Sequence, residues 1–154
     1  EVDAEFHSIF GRKYGGTIEE YRLDDAEYAL VTIGSPTGVA KEAVDYFREQ
    51  GRKVGLIKVR VLRPFPAPRL LKALQGLKAI GVVDRSVSFG WNTGALYQEV
   101  IALLGRNSIS LPSVSFIGGL GGADITMDHM LKALDTVSSL AKNPGFAFDT
   151  IWLD

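Results

Sequence analysis

The residues of a type and spacing to do chemistry lie in three short segments. The first is Gly118-Gly-Leu-Gly-Gly122, followed by Asp124, which stands between an apolar run and a helical pattern. Backbone amides in that context can cradle a phosphate. It is not a dinucleotide fingerprint, because taking Gly119 and Gly121 as the first glycines of GxGxxG puts Asp124 in place of the third. A carboxylate there repels a pyrophosphate. No Walker motif with its lysine occurs anywhere. The segment therefore reads either as an anion cradle or as a sharp turn that allows close packing with a partner.

The second segment is Gly34-Ser-Pro-Thr-Gly38, also at the end of an apolar run. Ser35 and Thr37 can face a ligand there, since open α/β sheets bind at the carboxyl ends of their strands. Capping explains the same residues, with Ser35 as cap and Pro36 in the first helical turn. The third is Asp84-Arg85-Ser86, where an ionised Asp–Arg pair can hold a ligand, orient a neighbouring segment or serve as a local structural pair. His7 and His129 are the two histidines, far apart and in no metal-ligand spacing. A surface role is expected for His129. Arg60, Arg63 and Arg69 surround a proline-rich stretch, but Phe65 alone among them is too little aromatic content for a nucleic-acid surface. There is no cysteine, which excludes disulfides, thiolate nucleophiles and any iron–sulfur cluster held by this chain.

The elements that position these segments alternate between apolar runs and helical periods, the pattern of a largely parallel sheet. Strands are expected over Tyr28 to Ile33, Val54 to Val61, Ala79 to Val83 and Ser113 to Ile117. A helix follows the first strand, with Val39, Ala40, Ala43, Val44 and Phe47 inward and Gly51 closing it. A short helix carries Leu70, Leu71 and Leu74. The next, capped by Thr93, turns Leu96, Val100, Ile101, Leu103 and Leu104 to the core, and Gly105 ends it. The last, capped by Thr126, buries Met127, Met130, Leu131, Leu134 and Val137. Right-handed crossovers then give a three-layer α/β/α sandwich with a mostly parallel sheet. Residues 1–26 read as an N-terminal arm or linker, 27–142 as the domain and 143–154 as a tail. The tail's Phe146, Phe148, Ile151 and Trp152 are expected to pack on this domain or a neighbour.

With 154 residues, 46% hydrophobic and 23% charged, the chain can bury one sizeable core. Its net charge of −1 sets up no global field towards nucleic acid or an anionic membrane. No apolar run approaches a membrane span and no signal peptide is visible, so a cytoplasmic location is expected. The sequence starts at Glu1 rather than methionine, as expected of an excised piece of a longer chain or of a processed one.

An ordered series of motifs runs through most of the chain: Gly16-Thr-Ile-Glu-Glu-Tyr-Arg22 with Asp25-Ala26, Gly34-Ser35, and Arg63-Pro-Phe-Pro66. Val83-Asp-Arg-Ser86 follows with Phe89-Gly90, then Ile117-Gly-Gly-Leu-Gly-Gly122 with Asp124-Ile-Thr126. The series resembles the transketolase C-terminal-like domain of the pyruvate:ferredoxin oxidoreductase alpha subunit. That resemblance implies an enzyme that oxidatively decarboxylates 2-oxoacids with coenzyme A. It uses thiamine diphosphate and magnesium, and its iron–sulfur clusters pass electrons to ferredoxin. It also implies that those cofactors are held elsewhere, because the magnesium-binding GDG-type motif and cysteines are missing here. The domain is then a noncatalytic module that packs against catalytic domains and shapes access to the active site. Ser35, Thr37, Asp84, Arg85, Ser86, Gly118, Gly119, Gly121, Gly122 and Asp124 become candidate surfaces for those neighbours or for a ligand. Asp-Arg-Ser resembles the pyruvate branch, while Ala95 departs from the proline expected in Gly-Pro-Leu and leaves a branched-chain 2-oxoacid open. The alternative from another class is a stand-alone nucleotide- or anion-binding α/β module built on the Gly34 and Gly118 loops.

Overall fold

A run such as Tyr28–Ile33, apolar at nearly every position, is satisfied only in a strand covered on both faces, and that requirement organises the chain. The computed structural model describes residues 2–12, 14–140 and 149–153. In chain order the elements are α1 (Val2–Phe10), β1 (Ile18–Tyr21), β2 (Tyr28–Ile33), α2 (Pro36–Glu49), β3 (Val54–Val59) and α3 (Ala67–Ala73). They continue with β4 (Ala79–Asp84), α4 (Ala95–Arg106), β5 (Ser113–Gly118), α5 (Met127–Leu140) and β6 (Ile151–Leu153).

Among the described residues these strands form one sheet in the order β1-β3-β2-β4-β5-β6. Only β1 runs antiparallel to its neighbour, pairing Ile18 with Val59 and Tyr21 with Leu56. The expected three-layer α/β/α sandwich with a mostly parallel sheet is what forms. One face of the sheet packs α2 and α5 around Leu30, Leu56, Phe116, Met130 and Leu134. The other packs α3 and α4 around Val31, Ile57, Ile80, Val82, Leu70 and Val100.

Strand alternation decides which side chain meets which layer. In β4, Ala79 and Val83 join the α2/α5 face, while Ile80 and Val82 join the α3/α4 face. Gly81 lies between the former two. A Cβ on it would stand 2.7 Å from carbons of Phe116 and Val137, so the close approach of α5 requires a glycine.

Four local expectations change. Ser35 is already helical at φ −64° and makes no capping bond. The turn is made one residue earlier by Gly34 at φ +74°, and Thr37 Oγ1 donates to the Gly34 carbonyl at 2.8 Å. Thr93 does not cap α4. Gly94 holds that position, and Thr93 Oγ1 instead accepts from Gln98 Nε2. Ile101, expected inward, is 38% exposed because the helix's inner stripe is completed by Leu96, Val100, Leu103 and Leu104.

The fourth change concerns the ends. The stretch read as an arm contains α1 and the edge strand β1, whose Ile18 is fully buried. In the tail, Ile151–Leu153 extends the sheet as β6 beside β5, whereas Phe146 and Phe148 lie outside the described residues. Thr126 does cap α5, reciprocally: His129 donates its amide to Thr126 Oγ1, and Thr126 donates its amide to His129 Nδ1.

Candidate functional site

From β2 the chain crosses to β3 on one side and later reaches β4 on the other, so strand order reverses between β2 and β4. The carboxyl ends at such a reversal splay apart and leave the crevice where open α/β sheets bind ligands. All three sequence-selected segments meet at this edge. Gly34-Ser35 follows β2, Arg85 follows β4, and Gly118 ends β5 with Gly119 after it.

Asp84 and Arg85 do not form the expected pair, because consecutive residues of a strand point to opposite faces. Asp84 turns towards α4 and is 3% exposed. Its carboxylate accepts the amides of Leu96 at 2.9 Å and Tyr97 at 3.0 Å, supplying from a neighbouring strand the cap that α4 lacks. Burial raises the carboxyl above its ordinary range, against the opposite pull of those two amide bonds. Gly94 makes the approach possible. A Cβ there would lie 2.0 Å from Asp84 Cγ, although its backbone is ordinary extended chain.

Arg85 turns towards the α2/α5 face. One guanidinium nitrogen donates to Ser35 Oγ at 2.7 Å and the other to the Gly119 carbonyl at 3.2 Å, with Ala123's carbonyl at 3.5 Å. One side chain thus ties together the loops after β2, β4 and β5. The glycine loop is shaped for this: Gly119, Gly121 and Gly122 have φ of +70°, +63° and +88°. A Cβ on Gly119 would come within 2.8 Å of Arg85 Nε. The loop therefore turns carbonyl oxygens towards a cation, the opposite polarity from the converging amides that a phosphate cradle needs.

Of the remaining candidates, Ser86, Gly121, Gly122 and Asp124 are exposed, Gly118 is buried, and Thr37 is 3% exposed with its hydroxyl against Thr32 Oγ1. A shallow cleft of about 190 Å³ lies between Ser35, Arg85 and Asp124. A second of about 310 Å³ lies between the glycine loop, His129 and Trp152. The basic residues of the proline loop are engaged locally. Arg63 donates to Glu99, Arg69 to the Gly15 carbonyl, and Arg60 stacks over Tyr14.

The composition bears on one of the cofactors that the motif series implies, the iron–sulfur cluster. The chain has no thiolate for a cluster. Among the described residues no three His, Asp or Glu side chains come together as a metal site. Sequence reasoning missed Gly94 as the partner of Asp84, and missed the exposure of Phe89 and Trp91 on the loop between β4 and α4. A glycine immediately before an apolar helical stripe was the available signal for the first.

A family model described as pyruvate:ferredoxin oxidoreductase core domain II matches residues 26–130. The NADH-dependent phenylglyoxylate dehydrogenase subunit alpha of Aromatoleum evansii is 48% identical over 154 residues, all of this chain and 37% of that subunit. Pyruvate synthase subunit PorA of Methanosarcina barkeri is 36% identical over 97% of this chain and 37% of its own length. Ketoisovalerate oxidoreductase subunit VorA of Pyrococcus abyssi is 42% identical over 99% of this chain and 38% of its own. The chain thus spans little more than a third of these curated relatives.

Among solved structures, a split-gene transketolase in an inactive beta4 tetramer superposes with a TM-score of 0.65 at 14% identity, covering 84% of this chain and 44% of that one. The 2-oxoglutarate:ferredoxin oxidoreductase of Magnetococcus marinus gives 0.61 at 22% identity, covering 84% and 20%. At these identities the likeness carries the fold, a transketolase-like α/β sheet.

Proposed function

This chain belongs to the pyruvate:ferredoxin oxidoreductase core domain II family, and from that premise we propose that it is a noncatalytic, assembly and active-site-shaping domain of such an enzyme's alpha subunit. The whole cytoplasmic enzyme decarboxylates a 2-oxoacid oxidatively to its acyl-coenzyme A ester and passes the electrons to ferredoxin. Thiamine diphosphate, magnesium and iron–sulfur clusters are held by its other domains and subunits. The observation that carries this reading is the Arg85 bridge: at the strand-order reversal the guanidinium is engaged by the chain's own Ser35 and Gly119, and only a shallow cleft of about 190 Å³ is left beside it.

In this role Arg85 and the glycine loop fix the shape of the carboxyl edge, and Ser86, Gly121, Gly122 and Asp124 present it to a neighbouring domain. Asp84 acts one step further back, by holding α4 against the strand that carries Arg85. The relatives are named for pyruvate, ketoisovalerate and phenylglyoxylate, so the reading stops at the 2-oxoacid class. One of them is named for NADH, and acceptor choice is therefore assayed with both ferredoxin and NAD.

Affinity purification of the tagged chain from its native cells, with thiamine and iron analysis of what accompanies it, tests the reading. Co-purification with thiamine- and cluster-bearing polypeptides is expected. Calorimetry against nucleotides, coenzyme A and phosphate tests the rival. Saturable binding by the isolated chain that disappears on Gly121→Val overturns the docking role and makes this an anion-binding module.

A further inference from the structure

We propose that Phe89 and Trp91 form a pre-built anchor that inserts into an apolar pocket on the remainder of the same alpha subunit. This rests on the docking role and names its contact. Phe89 is 104% exposed and Trp91 67% exposed, two residues apart on one loop. Large aromatics displayed together on a folded surface mark interaction sites, and tryptophan is enriched among residues that dominate binding energy.

The loop is held in shape rather than left free. Ser88 donates its amide to the Thr93 carbonyl at 2.9 Å, and Trp91 donates to the Ser88 carbonyl at 3.0 Å. Gly90, at φ +79°, makes the turn between the two aromatics. The stems are clamped by Asp84, which joins the strand before the loop to the helix after it. Thr150 Oγ1 donates to the Asn92 carbonyl and ties the tip to the segment entering β6. A loop ordered beforehand loses little conformational freedom on docking, which leaves more of its burial energy for affinity.

Its position and the length of the relatives identify the occupant. The loop leaves β4 beside Arg85, at the carboxyl edge already assigned to docking. The matched family model is numbered as the second domain of a core. The matched stretch makes up 37%, 37% and 38% of a single subunit in the three relatives, so the larger part of each polypeptide lies outside it. Covalent linkage keeps that part at a high effective concentration beside the loop, ahead of any untethered partner.

The test uses the full-length alpha subunit in its assembled complex, with Phe89 replaced by the photo-cross-linker p-benzoylphenylalanine. Irradiation and peptide mapping are expected to join position 89 to a peptide of the same subunit outside residues 1–154. A cross-link to another subunit, to a second copy of this domain, or to nothing overturns the proposal. Hydroxyl-radical footprinting of the unmodified complex gives a reading free of the substitution. Trp91 is expected to oxidise several-fold more slowly there than in the 154-residue chain, and equal rates overturn the proposal. The same preparation is assayed for 2-oxoacid-dependent acceptor reduction. Turnover together with a failed cross-link removes the anchor and leaves the docking role standing, whereas a complex without such turnover removes the functional reading itself.

Discussion

Replacing Asp84 with alanine tests whether a carboxylate from the sheet holds α4 in place. The substitution leaves the amide of Leu96, in a residue 1% exposed, and that of Tyr97 without acceptors. Each buried amide left unsatisfied costs roughly 1–3 kcal/mol, and relief from burying a carboxylate offsets part of the sum, so about 3 kcal/mol is expected. For a domain of this size about 3 kcal/mol lowers Tm by roughly 6–12 °C. Asp84→Asn keeps one acceptor oxygen and drops the charge, so its loss is smaller, about 1 kcal/mol.

The pH dependence has a definite sign. Burial raises the Asp84 carboxyl pKa, so the folded protein holds that proton more tightly than the unfolded chain does. The proton-linked part of the group's contribution is then fully present below the ordinary carboxylate range and is lost as pH rises through the raised folded value, while the two amide bonds remain. The stability gap between wild type and Asp84→Asn is expected to narrow as pH rises through that window. Thermal unfolding measures the first effect and urea unfolding at a series of pH values the second, with circular dichroism as the probe. A Tm for Asp84→Ala within 2 °C of wild type, or a gap that widens with rising pH, refutes the reasoning.

Three further outcomes follow from the same geometry. Gly94→Ala forces a methyl to within 2.0 Å of Asp84 Cγ, and thermal unfolding should show a loss of about 1–3 kcal/mol with α4 displaced. Gly38→Ala meets nothing within 4 Å on the exposed side of α2. Thermal unfolding should therefore show a gain of about 0.5–1 kcal/mol, and a loss would refute the reading of this position as an ordinary helical one. Arg85→Gln removes an exposed side chain that bridges three loops. The isolated chain should keep its stability within about 0.5 kcal/mol, while recovery of the assembled enzyme in a pull-down falls.

The layered sheet was legible because four strand–helix units repeat two unmistakable periods, and the three polar segments were legible because each follows an apolar run. What escaped was decided by contacts distant in sequence. Ile18–Tyr21 carries two glutamates and pairs on one side only, so its identity as a strand comes from β3 rather than from its own composition. Ile151–Leu153 is too short to announce itself without β5. Ser35 and Thr93 have the right chemistry to cap, but a positive-φ glycine displaced the first and a carboxylate twelve residues before Leu96 displaced the second. Asp84 ends β4 and Arg85 follows it, the strand-end placement the sequence suggested. Their division of labour between opposite faces depends on strand register, which neighbouring letters do not reveal.

The central claim is that this domain docks within a 2-oxoacid oxidoreductase and does not itself turn over. Its most direct test is reduction of a viologen dye by the purified 154-residue chain. Pyruvate, 2-ketoisovalerate and phenylglyoxylate are tried in turn, with coenzyme A, thiamine diphosphate and magnesium present throughout. The account predicts no reduction above the blank with any of the three, and reduction with at least one by the complete complex assayed in parallel. Turnover by the isolated chain would contradict it.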